Sequence, residues 1–291
     1  MEPRGSRASG AGRLVFAAIA PHGEYAIPEA CPPEMPGLAI DTQRAMVELA
    51  HRFDRSRPEA VIVLTPHGLH VAGRFAVVTA GRVAGALQEA PEVRLELPVD
   101  RPLALAVVDA LEQAGLPASA VSFGGNVPGE AVMPLDWGSL IPLWYLGGRH
   151  DPPVPVVVVA PARELSARAH VEAGRAIVEA VAASGRRVAL VASADQAHAH
   201  STGGPYGYDP AAATFDELTV RAVRDGRLGD LPDLSPALIE AAKPDSWWQM
   251  LMLFGAIGDA WRPTLLSYEV PTYFGMLCAA FAPPAEEPGR S

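Results

Sequence analysis

The chain has 291 residues, 49% of them hydrophobic and 19% charged, which is a globular composition and enough length to bury a full core. A formal net charge of −10 with no Lys/Arg block excludes an electrostatic footprint for nucleic acid. Two cysteines, Cys31 and Cys278, exclude a disulfide framework or a zinc knuckle, and no apolar run reaches the roughly 18 residues of a membrane span. These features point to a cytoplasmic protein with reduced, buried cysteines.

Met1 to Arg13 and Pro283 to Ser291 are rich in Gly, Pro, Ser and charge and read as frayed ends around one domain, 14–282. Leu14 to Ala20 is the first buried strand. Tyr25 to Gly37 holds four prolines and must be a loop. Leu38 to Phe53 is predicted helical, with Ile40, Met46, Val47 and Ala50 on one face. Ala60 to Leu64 is the second strand, and Phe75 to Thr79 and Val93 to Leu97 are hairpin-like strands. Pro102 to Ala114 is a helix stopped by Gly115-Leu116-Pro117.

A glycine-rich stretch, Val121 to Met133, leads to a short apolar helix at Ser139 to Leu146. Val154 to Ala160 is a strand buried on both faces. Leu165 to Ser184 is a long Ala-rich helix, Arg187 to Ser193 a strand, and Thr202 to Pro210 a loop. Ala211 to Asp225 is helical. So is Pro236 to Ile257, interrupted near Lys243-Pro244, and Thr264 to Ala280 gives two closing strands around Pro271. Strands alternating with helices predict a single-domain three-layer α/β/α fold, and the hairpin-like strands predict that its central sheet is mixed.

One pattern recurs. Leu14 to Gly23 and Ala60 to Gly68 are apolar runs ending in Pro-His-Gly, and Val188 to His200 ends in histidines as well. In open α/β sheets ligands bind beyond the carboxyl ends of the strands. His22, His67 and His198 all sit at such ends, where Pro21 and Pro66 stiffen the loops and Gly23 and Gly68 permit close approach. His51 and His170 fall in helices and His150 in a turn, where exposure or a hydrogen bond accounts for them. Two strand-end histidines need a carboxylate to make a 2-His-1-carboxylate metal face. Asp245, at the start of an apolar helix, reads on spacing alone as that helix's N-cap. Glu269 is a carboxylate in an apolar strand, costly unless paired or metal-bound. Glu24 and Asp195 lie near the histidines and could support them. The apolar surface near Trp247, Trp248, Met250 and Leu251 is a candidate interface with a second copy or subunit, although core packing explains those residues better.

Four segments together resemble the class III extradiol ring-cleavage dioxygenases, the LigB-like family. They are Ala20-Pro21-His22-Gly23 with Ile27-Pro28-Glu29; Thr65-Pro66-His67-Gly68; Asp136-Trp137-Gly138-Ser139-Leu140-Ile141-Pro142-Leu143; and Ser193-Ala194-Asp195-Gln196-Ala197-His198, continued by Gly204-Pro205-Tyr206-Gly207-Tyr208-Asp209. The resemblance spans about Leu14 to Phe281. It implies Fe(II) on His22, His67 and a third carboxylate, with His198 as acid/base. It places that carboxylate just before the apolar helix, at Asp245, with Glu269 as the alternative. Trp137, Asp136 and Tyr206 would then contact a small aromatic substrate of catechol or aminophenol type, cleaved with O2. Trp137 stands where the family motif has a histidine, and Asp245 where it usually has a glutamate. Two other readings share these residues: a zinc-dependent hydrolase on the same ligands, and a non-catalytic subunit or binding protein of the same fold. The absence of Gly-x-Ser-x-Gly and of a phosphate-binding glycine loop argues against a serine hydrolase and a nucleotide enzyme.

Overall fold

A computed structural model describes residues 11–285. Most of both expected tails lies outside that range. In chain order the described residues form β1 (Arg13–Ala20), α1 (Ile40–Ser56), β2 (Ala60–Leu64), β3 (Phe75–Val78), β4 (Arg82–Ala86), β5 (Arg94–Pro98), α2 (Arg101–Gln113), β6 (Ala118–Val121), β7 (Val132–Pro134) and α3 (Trp137–Tyr145). There follow β8 (Val156–Ala160), α4 (Ala167–Ser184), β9 (Arg187–Ser193), α5 (Ala211–Arg224), α6 (Pro236–Ala242), α7 (Trp247–Ile257), β10 (Arg262–Glu269) and β11 (Met276–Ala282).

The main sheet has eight strands in the order β10-β11-β1-β9-β2-β8-β3-β6. Its centre, β1-β9-β2-β8, is parallel. These strands are nearly continuous runs of Val, Ile, Leu and Ala, buried along almost their whole length, as parallel strands covered on both faces must be. The sheet is mixed, as expected, but for a different reason. β11 runs antiparallel to β1 at one end and β3 antiparallel to β8 at the other.

The expected pairing of the strands between Phe75 and Leu97 is corrected by the structure. β3, buried at every position, joins the main sheet. β4 and β5 form their own hairpin and, with β7, a separate three-stranded sheet. Gly81 is where the chain leaves the main sheet. A Cβ there would meet the carbonyl of Gly129, so only glycine lets the two segments close up. β6 and β7, of four and three residues, are too short to register as an alternating pattern.

α2, α4 and α7 pack together, while α3 packs on α1 and on the small sheet. One large apolar core includes residues of both sheets. The helix break at Lys243-Pro244 is real: Lys243 takes φ +56, and residues 243–246 form the junction between α6 and α7. Gln249 Nε2 donates to the carbonyls of Asp245 and of Ser193, tying this junction to the end of β9.

Candidate metal centre

The carboxyl ends of β1, β2 and β9 lie side by side, because β9 sits between β1 and β2 with all three parallel. His22 and His67 follow two of these ends, His198 follows the third, and Asp245 arrives from the α6–α7 junction. Ligand atoms of His22, His67 and Asp245 all lie within 4.8 Å of one another, a group able to hold a metal ion. Asp245 Oδ2 is 3.0 Å from His67 Nε2, 3.6 Å from His198 Nε2 and 4.0 Å from His22 Nε2.

His22 is 1% exposed, and its tautomer follows from its partners. Ser193 Oγ donates its proton to the carbonyl of Gly138, so it can only accept from His22 Nδ1, 2.9 Å away. Nδ1 therefore holds the ring proton. Nε2 is left with its lone pair, buried, aimed at the cluster and without a hydrogen-bond partner. Burial, followed by the neighbouring His67, pushes the His22 pKa well below its ordinary value. A neutral imidazole with an orphaned nitrogen is what a metal ligand requires. Asp195 Oδ1 accepts from the backbone N of His22 at 3.0 Å, and its Oδ2 stands 3.5 Å from Nε2. Burial raises the Asp195 carboxyl, so its protonated form is favoured.

Asp245 is not the N-cap that spacing alone suggests. Ser246 occupies that position, and the Asp245 carboxyl turns toward the histidines. Burial by itself would raise its pKa. The hydrogen bond from His67 and the field of the three imidazoles outweigh this and hold it well below the usual carboxylate range. Arg163 completes the balance: its Nη2 donates to Asp245 Oδ1 at 2.8 Å while its guanidinium lies 4.6 Å over the Trp248 ring. One carboxylate oxygen is thus held by arginine and the other faces the histidines. Glu269 is elsewhere. Its Oε1 accepts from the Thr42 N–H in the first turn of α1, where an anion is favoured.

His198 donates from Nδ1 to the Gln196 carbonyl at 2.9 Å, which leaves Nε2 as the acceptor toward the cluster. Burial lowers its pKa, so it stays in the base form. Phe274 stacks on the ring at 5.3 Å, and Tyr206 meets it edge-on at 5.7 Å. Asp216 steadies this loop from beneath. Its two oxygens accept from Ala197 N at 2.9 Å, His200 Nε2 at 2.8 Å and Tyr268 Oη at 2.6 Å.

Trp137 is 50% exposed and lies against His67, ring centroids 4.7 Å apart. Asp136 caps α3 through Ser139 N, and burial raises its pKa. The glycines after the histidines serve side chains: a Cβ at Gly68 would strike the Asp136 carboxyl, and one at Gly23 the Phe274 ring. Tyr206 and Tyr208 are both exposed. Glu24 lies in a short 3-10 turn after His22. Met250 and Leu251 are fully buried, whereas Trp247 and Trp248 are half-buried and line a cavity beside the centre.

Sequence reading missed Arg163, Asp216 and Phe274. Arg163 had a usable signal. In Ala160-Pro161-Ala162-Arg163 a proline follows β8 and, two residues on, a cation, at the same end of the sheet as the two Pro-His-Gly turns. No comparable signal marks Asp216, which lies inside a helix.

Among the described residues no helix is long and apolar enough to cross a membrane. The family described as "Catalytic LigB subunit of aromatic ring-opening dioxygenase" matches residues 17–278. Protein CA_C1420 of Clostridium acetobutylicum is 22% identical over 254 residues, covering 86% of this chain and 54% of that protein. The chain therefore spans about half the length of that curated relative. The crystal structure of an uncharacterized protein, JW3007, from Escherichia coli K12 matches with a TM-score of 0.59 and 19% identity, over 91% of this chain and 99% of that one, a likeness of fold.

Proposed function

This chain belongs to the LigB family, and from that premise we propose that it is a non-haem Fe(II)-dependent extradiol dioxygenase, opening a catechol-type or aminophenol-type ring with O2. In such a reaction the ring C–C bond beside the hydroxyl pair breaks and both atoms of O2 end in the product. The observation that supports this reading best is the convergence of His22, His67 and Asp245, with the orphaned Nε2 of His22 among them. Two imidazoles and one carboxylate are a donor set that would suit non-haem iron and leave room for substrate and O2. When bound, iron supplies the Lewis acidity that ionises a substrate hydroxyl near neutral pH and the open face for O2.

The chain's own residues do the rest. Ser193 fixes the ring of His22, Asp195 holds its backbone N–H, and Arg163 fixes Asp245. His198 takes a hydroxyl proton at Nε2 and later returns it, with Nδ1 anchored on Gln196 throughout. Phe274 covers the far face of that imidazole and keeps water from it. The substrate and O2 are then the partners, and the cytoplasm is the expected compartment.

Anaerobic titration of apoprotein with Fe(II) tests the ligand set. His22→Ala is expected to lose at least about tenfold in affinity, and unchanged affinity removes the assignment. A catechol panel followed by O2 uptake and by the yellow ring-opened product tests the reaction. No uptake with any member overturns it. Trp137, standing where the family motif has a histidine, favours a second reading, a non-catalytic subunit or binding protein that has kept the fold. Ring opening by the iron-loaded protein separates the two, and metal analysis of protein purified without added metal separates both from a zinc hydrolase on the same donors.

A further inference from the structure

The cavity beside the cluster has a volume of about 740 Å³, and His198 and Asp245 are part of its lining. It therefore opens on the candidate centre along that edge. Pockets of roughly 300–1,000 Å³ bury drug-sized ligands, so this one has room for far more than a single ring. Its wall is mainly apolar, formed by Leu165, Ala167, Leu234, Ile239, Trp247 and Trp248.

The wall is also fixed in place. Trp247 Nε1 donates to the Leu231 carbonyl at 2.9 Å, and the two indoles meet edge-on at 5.7 Å. Ile239 and Ala242 belong to a small core with Phe215 that backs the cavity from α5. The cations on the lining are already engaged. Arg163 pairs with Asp245 at 2.8 Å and Lys243 with Glu240 at 2.5 Å. Asp233 adds a negative charge. With its cations paired and a further carboxylate beside them, this wall disfavours an anionic substituent.

The geometry points to a substrate that is a catechol bearing a neutral, apolar substituent of at least ring size, seated between the Trp247–Trp248 pair and the Leu234–Ile239 wall. This rests on the ring-opening reading of the adjoining centre. Burying such a group against apolar surface favours binding in proportion to the area removed from water.

The test is anaerobic titration of Fe(II)-loaded protein with catechol and with phenylcatechol, followed by tryptophan fluorescence, with O2 uptake measured separately. Phenylcatechol is expected to bind at least about tenfold more tightly. Two variants with separate folding risks are expected to abolish that preference: Ala167→Phe, which fills the cavity from the half-exposed first turn of α4, and Ile239→Glu, which charges its wall. Equal affinities in the wild type, or a preference that survives both variants, overturns the inference even if both catechols are opened. Preferential binding without O2 uptake overturns the dioxygenase reading and leaves the cavity's selectivity standing. Binding of neither ligand overturns both.

Discussion

The hydroxyl of Ser193 has one proton, and the Gly138 carbonyl takes it. Ser193→Ala would leave His22 Nδ1 buried without an acceptor and free the ring to change tautomer. Loss of such a supporting bond typically weakens metal binding by about 10–100-fold, and isothermal titration of the variant should show a drop in that range with the fold intact by circular dichroism. His170 offers a cleaner pH test, away from the cluster. Burial lowers its pKa from 6.5 to about 4, with Nδ1 bonded to the Ser166 carbonyl and Nε2 without a partner. The unfolded chain binds this proton more readily than the folded one, so stability is full above pH 6.5 and falls as pH drops toward 4. The loss approaches about 3 kcal/mol. His170→Leu should remove it, so the stability difference between wild type and variant should shift by that amount between these two pH values in urea melts. A flat difference would show that His170 does not titrate in this way. At this scale the sequence announced His22 and His67 through their Pro-His-Gly settings. It could not announce Asp245's orientation, because a carboxylate ahead of a helix serves equally as a cap.

α7 begins two residues after Asp245, so its seat on α4 sets where the carboxylate stands. Gly174 and Gly255 make that seat. A Cβ on Gly174 would run into the Met252 carbonyl, and one on Gly255 into the Val171 carbonyl. Alanine normally stabilises a helix relative to glycine, but here the helices would have to part. Gly174→Ala is expected to cost about 1–3 kcal/mol in chemical denaturation and to weaken Fe(II) binding as well. A stabilising effect would mean that the two helices have room to separate. Elements such as α4 and β9 were readable from composition, since an Ala-rich run of helical length and a continuous apolar strand leave little choice. β4 and β7 were not. β4 pairs with β7 at a separation of fifty residues, Arg82 opposite Val132, and no local pattern encodes that contact.

Over the whole molecule, the candidate ligands come from three segments brought together only by the finished sheet: the ends of β1 and β2 and the α6–α7 junction. A bound metal pins all three, so it should stabilise the fold by mass action, by about 2.7 kcal/mol at a hundredfold excess over Kd. Calorimetry should show Tm rising with Fe(II), returning with a chelator, and rising clearly less in His22→Ala. The α/β class was legible because strands and helices alternate; the strand order was not, since it depends on long-range pairing. That pairing has a consequence for biosynthesis. β1 lies between β11 and β9, with Arg13 opposite Arg187 and Ala17 opposite Phe281. At the usual pace of about 5–20 residues per second, the ribosome needs roughly ten to thirty seconds after making β1 before β9 exists to receive it. Throughout that interval an apolar strand, buried in the finished sheet from Val15 to Ala20, waits without a neighbour, which makes the nascent chain a natural client for holding chaperones.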